Sequence, residues 1–430
     1  MIYNQTRYNS SWDTKKLNDL GSFSRGKSKH RPRNDSRLFE NGIYPLVQTG
    51  DIKSAIFHIS HHEQAYNDFG LSQSKLWPTG TLCITIAANI AETGVLAYPM
   101  CFPDSVVGFT AYPEETTEAF MHYVFTYIRQ SIQNSVSGSI QDNINIDYLK
   151  TLDFKIPPKP YQDKMVSLLS GIDSKIELNE QICSELEAMA KTLYDYWFVQ
   201  FDFPDEYGRP YRTSGGEMVW NEQLKREIPK GWIVQSLSHG ISGINTGLNP
   251  RDNFVLGDGD IQYLTVKNLT TSGTIDFSGC DTVNESARNI IHARSDISIG
   301  DILFASIAPL GRCYLIQSKP QEWDINESIF SIRANIDAFT PEFLYMYFMS
   351  DTFIKSATSS STGSIFKGIR INTLLDIITI FPKKNIIDIF SKKVQKILAL
   401  KEQKAIENQE LTKLRDWLLP MLMNGQAKVE

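Results

Sequence analysis

Between Pro160 and Phe198 apolar residues recur in alternating three- and four-residue steps, a pattern that admits little except one long helix with a partner along its length. The seam runs Leu169, Ile172, Ile176, then Cys183, Leu186, Ala190, Leu193 and Trp197, with Asn179 as its polar member. A helix of about 38 residues is roughly 57 Å long at 1.5 Å per residue. A rod of that length in a chain of otherwise globular composition holds two things apart. A second such stretch closes the sequence, from about Asn385 to Met423.

The rest of the chain repeats with the rods. Trp12, Leu17 and Gly26 match Trp232, Leu237 and Gly247; the run Pro45 to Ile52 matches Gln262 to Leu269. Gly80-Thr81-Leu82 matches Gly300-Asp301-Ile302, Gly138-Ser139-Ile140 matches Gly363-Ser364-Ile365, and Ile156-Pro157 matches Phe381-Pro382. Two copies make a duplication rather than a solenoid. The fold class expected is therefore α+β: two similar globular domains rich in short strands, plus two long antiparallel helices. The expected boundaries are 1–157 for the first domain, 158–200 for the first helix, 201–230 for a linker, 231–382 for the second domain, and 383–430 for the second helix and tail. Pro157, Pro158 and Pro160 break the chain before the first helix, where proline is tolerated.

The two rods differ in charge. From Asp163 to Asp195 the acids outnumber Lys by seven to three; from Lys383 to Arg415 the bases outnumber the acids by nine to four. Opposite charge favours pairing them with each other. The second seam is less regular, with Val394, Ile397, Leu411 and Leu418 interrupted by Lys401, Lys404 and Asn408.

Composition narrows the class. At 430 residues, 41% hydrophobic and 21% charged, the chain suits two or three folded domains. It has no apolar run long enough for a membrane span and begins without a signal-peptide pattern, so a cytoplasmic protein is expected. Five scattered cysteines without CxxC spacing argue against a disulfide framework or a zinc site. His58, His61, His62 and Glu63 lie close together but lack metal-ligand spacing, and a polar or DNA-facing loop is the plainer account. The net charge of −6 means that any nucleic-acid-binding surface is local. No catalytic signature stands out: there is no Walker A sequence, no Gly-x-Ser-x-Gly elbow, and the Pro157-Pro158 pair lacks the flanks of an adenine methyltransferase motif. A non-catalytic chain without cofactor or metal is expected.

The doubled domain-and-helix plan carries three further pieces. They are the run Leu193-Tyr194-Asp195-Tyr196-Trp197-Phe198 before Asp202-Phe203-Pro204, the run Ile228-Pro229-Lys230-Gly231-Trp232, and the closing Leu418-Leu419-Pro420-Met421-Leu422-Met423-Asn424-Gly425. In their order these resemble the specificity subunit of type I restriction-modification systems. The resemblance implies two target-recognition domains, each reading half of a bipartite double-stranded DNA site, with the helices fixing the gap. It also implies partner subunits: two modification subunits that methylate adenine, and restriction subunits. An assembly scaffold gripping protein rather than DNA is the alternative, and a divergent methyltransferase a distant third.

Candidate contacts follow from residue type. The segment Ser24 to Arg37 carries Arg25, Lys27, Lys29, Arg31 and Arg33 in a loop almost free of apolar residues, which suits a phosphate-tracking arm or equally a solvated loop. Gln48 and Thr49, with Lys267 and Asn268 in the matching region, are types that read adenine or guanine edges or make turns. Two repeated polar loops place Ser139, Gln141 and Asn143, and Ser364, Lys367 and Arg370, just before each rod, where small residues allow close backbone approach. Arg312, in a tight turn between strands, is a further cation within reach of a base or phosphate. Tyr194, Trp197 and Phe198 form an aromatic cluster that either packs in a core or docks a partner subunit.

Overall fold

The computed structural model describes residues 4–137, 144–308, 310–320, 322–360 and 368–429. The chain divides into two compact units, residues 1–179 with 407–430, and residues 180–406.

In the first unit, the strands Gly21–Arg25, Val106–Ala111, Leu82–Thr85, Thr93–Leu96 and His58–Ile59 form a sheet in that spatial order. A second sheet orders Gln64–Tyr66, Tyr44–Leu46, Met100–Cys101 and Leu76–Trp77. Most residues of the central strands are buried on both faces, so they read as continuous apolar runs rather than as alternations. The helix Glu118–Ser137 covers the first sheet with Phe120, Val124 and Ile128, all essentially solvent-free, at the helical spacing the sequence displays.

The second unit repeats this build. The strands Ile241–Thr246, Ile329–Ala334, Ile302–Ala305 and Cys313–Leu315 make one sheet, and Asp281–Val283, Ile261–Leu264 and Trp323–Ile325 another. Each unit contains a parallel pairing at the same place in its repeat, Leu46 against Cys101 in the first and Leu264 against Ile325 in the second, and the first unit adds another, His58–Ile59 against Val95 and Leu96. The stretch 201–230 contains the hairpin Met218–Asn221 with Arg226–Pro229. Phe201 and Phe203 are buried there against Trp232, which makes this segment part of the second unit's core.

The long helices are Lys159–Tyr194 and Lys384–Met423. Lys159–Tyr194 passes into a π-helical turn at Asp195–Val199. Within the first unit the two run antiparallel: Asp173 meets Arg415, Lys175 meets Glu407, and Asn179 meets Asn408. Within the second unit the same sense holds, with Lys401 on Glu187 and Phe390 on Trp197. Of the residues that interrupt the second seam, Lys401 and Asn408 are thus not gaps in it, and Arg415 continues their spacing. Lys401, Asn408 and Arg415 lie seven apart, and each meets a polar residue of the first helix.

Candidate nucleic-acid interface

In the first unit the arm of Arg25 to Arg37 is pinned by backbone. Gly26 donates to Val106 O (2.8 Å) and Lys27 to Phe102 O (3.2 Å). A Cβ at position 26 would collide with the carbonyl oxygens of Phe102 and Pro103, so glycine is required for this approach. Farther along, Gln73 Oε1 accepts from the backbone of Lys29 and His30 (2.7 and 3.0 Å), and Ser74 Oγ donates to Lys27 O (2.9 Å). The arm is a fixed loop rather than a freely solvated one.

Its cations divide into two groups. Arg31 and Arg33 both face Asp104, at 3.9 and 2.6 Å, while Arg37 and His30 share Asp35. The Arg37 guanidinium, then His30, hold the Asp35 carboxyl far below its ordinary range. Arg25, Lys27 and Lys29 are exposed and carry no ion pair among the described residues. Burying or occupying a cation with a carboxylate removes it from phosphate binding, so these three are the arm's available charges.

Gln48 and Thr49 stand beside Lys27. Val47 donates to Cys101 O (2.9 Å), one residue from the Phe102 carbonyl that holds Lys27. Gln48 caps the helix Thr49–Ser54 through its backbone, donating N–H to Asp51 Oδ2 at 2.8 Å. Its side chain is exposed, and its Nε2 donates to Gln64 Oε1 at 3.5 Å.

In the second unit the corresponding cap is Thr265, whose backbone N–H donates to Asn268 Oδ1 (2.9 Å). Asn268 therefore stands where Asp51 stands. It is buried, and its Nδ2 donates to Asp276 O (3.0 Å), so its amide is committed to the turn and not presented to a base. Lys267 beside it is exposed. Arg312 is brought to the same turn: it is half-buried, Nη1 donates to Val266 O at 3.4 Å, and Nε is buried without an acceptor. Arg370 joins this group, because Ile369 donates to Ser306 O (2.8 Å) at the start of the loop that carries Arg312. The first unit has the same contact, Ile144 N–H to Ile86 O (3.0 Å). Ser139, Gln141, Asn143, Ser364 and Lys367 lie outside the described residues.

Tyr194, Trp197 and Phe198 are buried in the second unit's core. Phe198 meets the rings of Phe343 and Phe390, each at 4.9 Å, and Tyr194 meets Phe343 at 6.0 Å. Their rings are spent on packing rather than presented to a partner, while the neighbouring Tyr196 is exposed. His58 Nδ1 pairs with Glu177 and His62 Nδ1 with Tyr98. Among the described residues no group of three or more His, Cys, Asp or Glu is arranged to hold a metal, and no helix is long and apolar enough to cross a membrane.

Two cations that the sequence pattern did not single out adjoin these sites. Lys75 lies next to Lys27, and Arg294 donates through Nε to Thr246 Oγ1 (3.2 Å). Neither has a local signature, since it is the fold that returns them to the strand ends.

Residues 9–188 match the type I restriction modification DNA specificity domain family. The chain is 24% identical to the type I restriction enzyme MjaIX specificity subunit of Methanocaldococcus jannaschii, over 97% of this chain and 94% of that one. It is 28% identical to the HindI specificity subunit of Haemophilus influenzae, over 73% and 75% respectively. Its fold matches the crystal structure of a type I restriction-modification S subunit from M. genitalium with a TM-score of 0.58, 17% identity, and coverage of 98% and 99% of the two chains.

Proposed function

We propose that this chain is a type I restriction-modification specificity subunit, the DNA-reading member of such a complex. Each domain reads one half of a bipartite double-stranded site, and the long helices set the unread gap between halves. Modification subunits, two of them, methylate adenine, and restriction subunits translocate and cut. The chain contributes readout while its partners contribute catalysis, in the cytoplasm where the DNA is.

One observation carries this reading: the same strand-end build occurs twice. In the first unit Gly26 packs on the Phe102 carbonyl beside the turn of Gln48. In the second, Gly247 packs on the Ile325 carbonyl beside the turn of Thr265, and Asn326 N–H donates to Leu264 O at 2.9 Å. Around the first build stand Arg25, Lys27, Lys29, Gln48 and Thr49; around the second stand Lys267, Arg312 and Arg370. The cations position the domains on phosphates, and Gln48 is the side chain best placed to read a base edge. Arg31 and Arg33 stay on Asp104 and shape the arm. Ser139, Gln141, Asn143, Ser364 and Lys367, outside the described residues, belong to this reading as further DNA contacts on residue type alone. An overall charge of −6 does not oppose this, because the unpaired cations are clustered.

The test is a salt titration of the assembled modification complex on duplex DNA. Log affinity should fall steeply and linearly with log salt, by about 0.9 per phosphate neutralised. A flat response would point instead to a protein-gripping scaffold.

A further inference from the structure

The two repeats share an asparagine-capped helix that follows the antiparallel partner of the turn-bearing strand. In the first unit the strand Gln64–Tyr66 pairs antiparallel with Tyr44–Leu46 and runs into Asn67, whose Oδ1 accepts from Gly70 N–H and starts the helix Asp68–Ser72. In the second unit Asp281–Val283 pairs antiparallel with Ile261–Leu264 and runs into Asn284, whose Oδ1 accepts from Ala287 N–H and starts the helix Glu285–Ser295. Each Asn-capped helix returns a cation to the packed glycine. Lys75 comes back beside Lys27, the residue after Gly26, tied there by Ser74. Arg294 comes back to Thr246, the residue before Gly247. Both cations are exposed, and neither has an ion pair among the described residues.

We infer that Lys75 and Arg294 are matched phosphate contacts, one in each domain, that seat the two half-sites in the same orientation. This rests on the DNA-reading function proposed above. The Lys75 ammonium sits 3.4 Å above the centre of the Trp77 ring, a ring that is itself 5% exposed, so its direction is fixed rather than free. Partial burial, then the like charge of Lys27, lower the Lys75 amine from its ordinary range. The like charge that Lys27 puts on Lys75 is relieved by an anion, and a phosphate on the duplex backbone is the anion this fold would meet. Arg294 has the same opening, with its Nε on Thr246 and the rest of its guanidinium fork left for a bidentate phosphate contact.

The experiment uses the assembled complex and a duplex carrying the split site identified by its methylated adenines. Lys75→Ala and Arg294→Ala should each weaken binding several-fold and lower the salt slope by about 1, with the double variant lowering it by about 2. Lys75→Arg and Arg294→Lys should retain the wild-type slope, which a merely structural role would not require. Alanine variants with wild-type affinity and slope, while Lys27→Ala still reduces both, would overturn the inference and leave the DNA-reading function standing. A wild-type complex with no salt-dependent binding would end both.

Discussion

Asn179 Nδ2 donates to Asn408 Oδ1 across the long helices of the first unit, at 2.9 Å, and Asn408 Nδ2 donates in turn to Ile176 O at 3.1 Å. Asn179 is fully buried, and its own Oδ1 has no partner. A buried amide pair in an apolar seam costs stability and specifies register. Asn408→Leu should therefore destabilise the protein by about 1–3 kcal/mol, because it strands the Asn179 donor. Replacing both by Leu should recover most or all of that loss while allowing the helices to slip. Denaturant unfolding of the three proteins checks it; equal stability of single and double variants would contradict it.

Asp173 gives a pH-dependent prediction. Its side chain is buried between Tyr123, whose hydroxyl donates at 2.6 Å, and Arg415, at 3.2 Å. Burial raises the carboxyl above its ordinary value, and the Tyr123 hydrogen bond and the Arg415 charge only partly oppose this. Arg415→Met removes the opposing charge and should cost about 3–5 kcal/mol at neutral pH. A carboxyl raised in the folded state favours folding at low pH, and that advantage is lost as pH rises through its folded value. The stability gap between variant and wild type should therefore widen from pH 5 to pH 8, which unfolding curves at the two pH values will show.

His122 works in the opposite direction. It is buried, its Nδ1 meets Thr93 Oγ1 at 3.0 Å, and its imidazole titrates at about 3. Burial is the main cause, followed by the charges of Arg415, Arg129 and His58. The unfolded chain takes up this proton near the usual 6.5 and the folded chain refuses it, so stability is full above that value and falls as pH drops. His122→Gln should remove about 2 kcal/mol of the stability difference between pH 7 and pH 5, measured by denaturant midpoints.

Gly26 and Gly247 predict a matched pair of losses. A Cβ at position 247 would overlap the Ile325 carbonyl, as one at 26 overlaps that of Phe102. Each Gly→Ala variant should lose roughly 1–3 kcal/mol by forcing these strand ends apart. Each should also weaken DNA binding by more than its stability loss implies, as a folded-fraction-corrected gel shift would reveal.

The sequence carried much of this because the long helices and the repeat are periodic, and periodicity is local. Leu169, Ile172 and Ile176 are buried as their spacing requires. What spacing could not reveal was partnership. Lys401 reads as a break in an apolar seam, yet it is 4% exposed and bound to Glu187 and to the Ser272 carbonyl. Asn268 is a residue type that reads adenine, yet its amide closes a turn as the carboxylate of Asp51 does in the other unit. Tyr194, Trp197 and Phe198 were ambiguous between core and docking surface, since an aromatic run looks the same in both. Lys75 and Arg294 had no signal, because a helix of different length in each unit brings them back to the glycine.

The most direct measurement of the central claim is a genome-wide map of adenines methylated when the full system is expressed. Two short fixed blocks separated by an unread gap of constant length are predicted, with a single substitution at Gln48 relaxing one block and leaving the other intact. A single continuous motif, or methylation without sequence preference, would contradict the account.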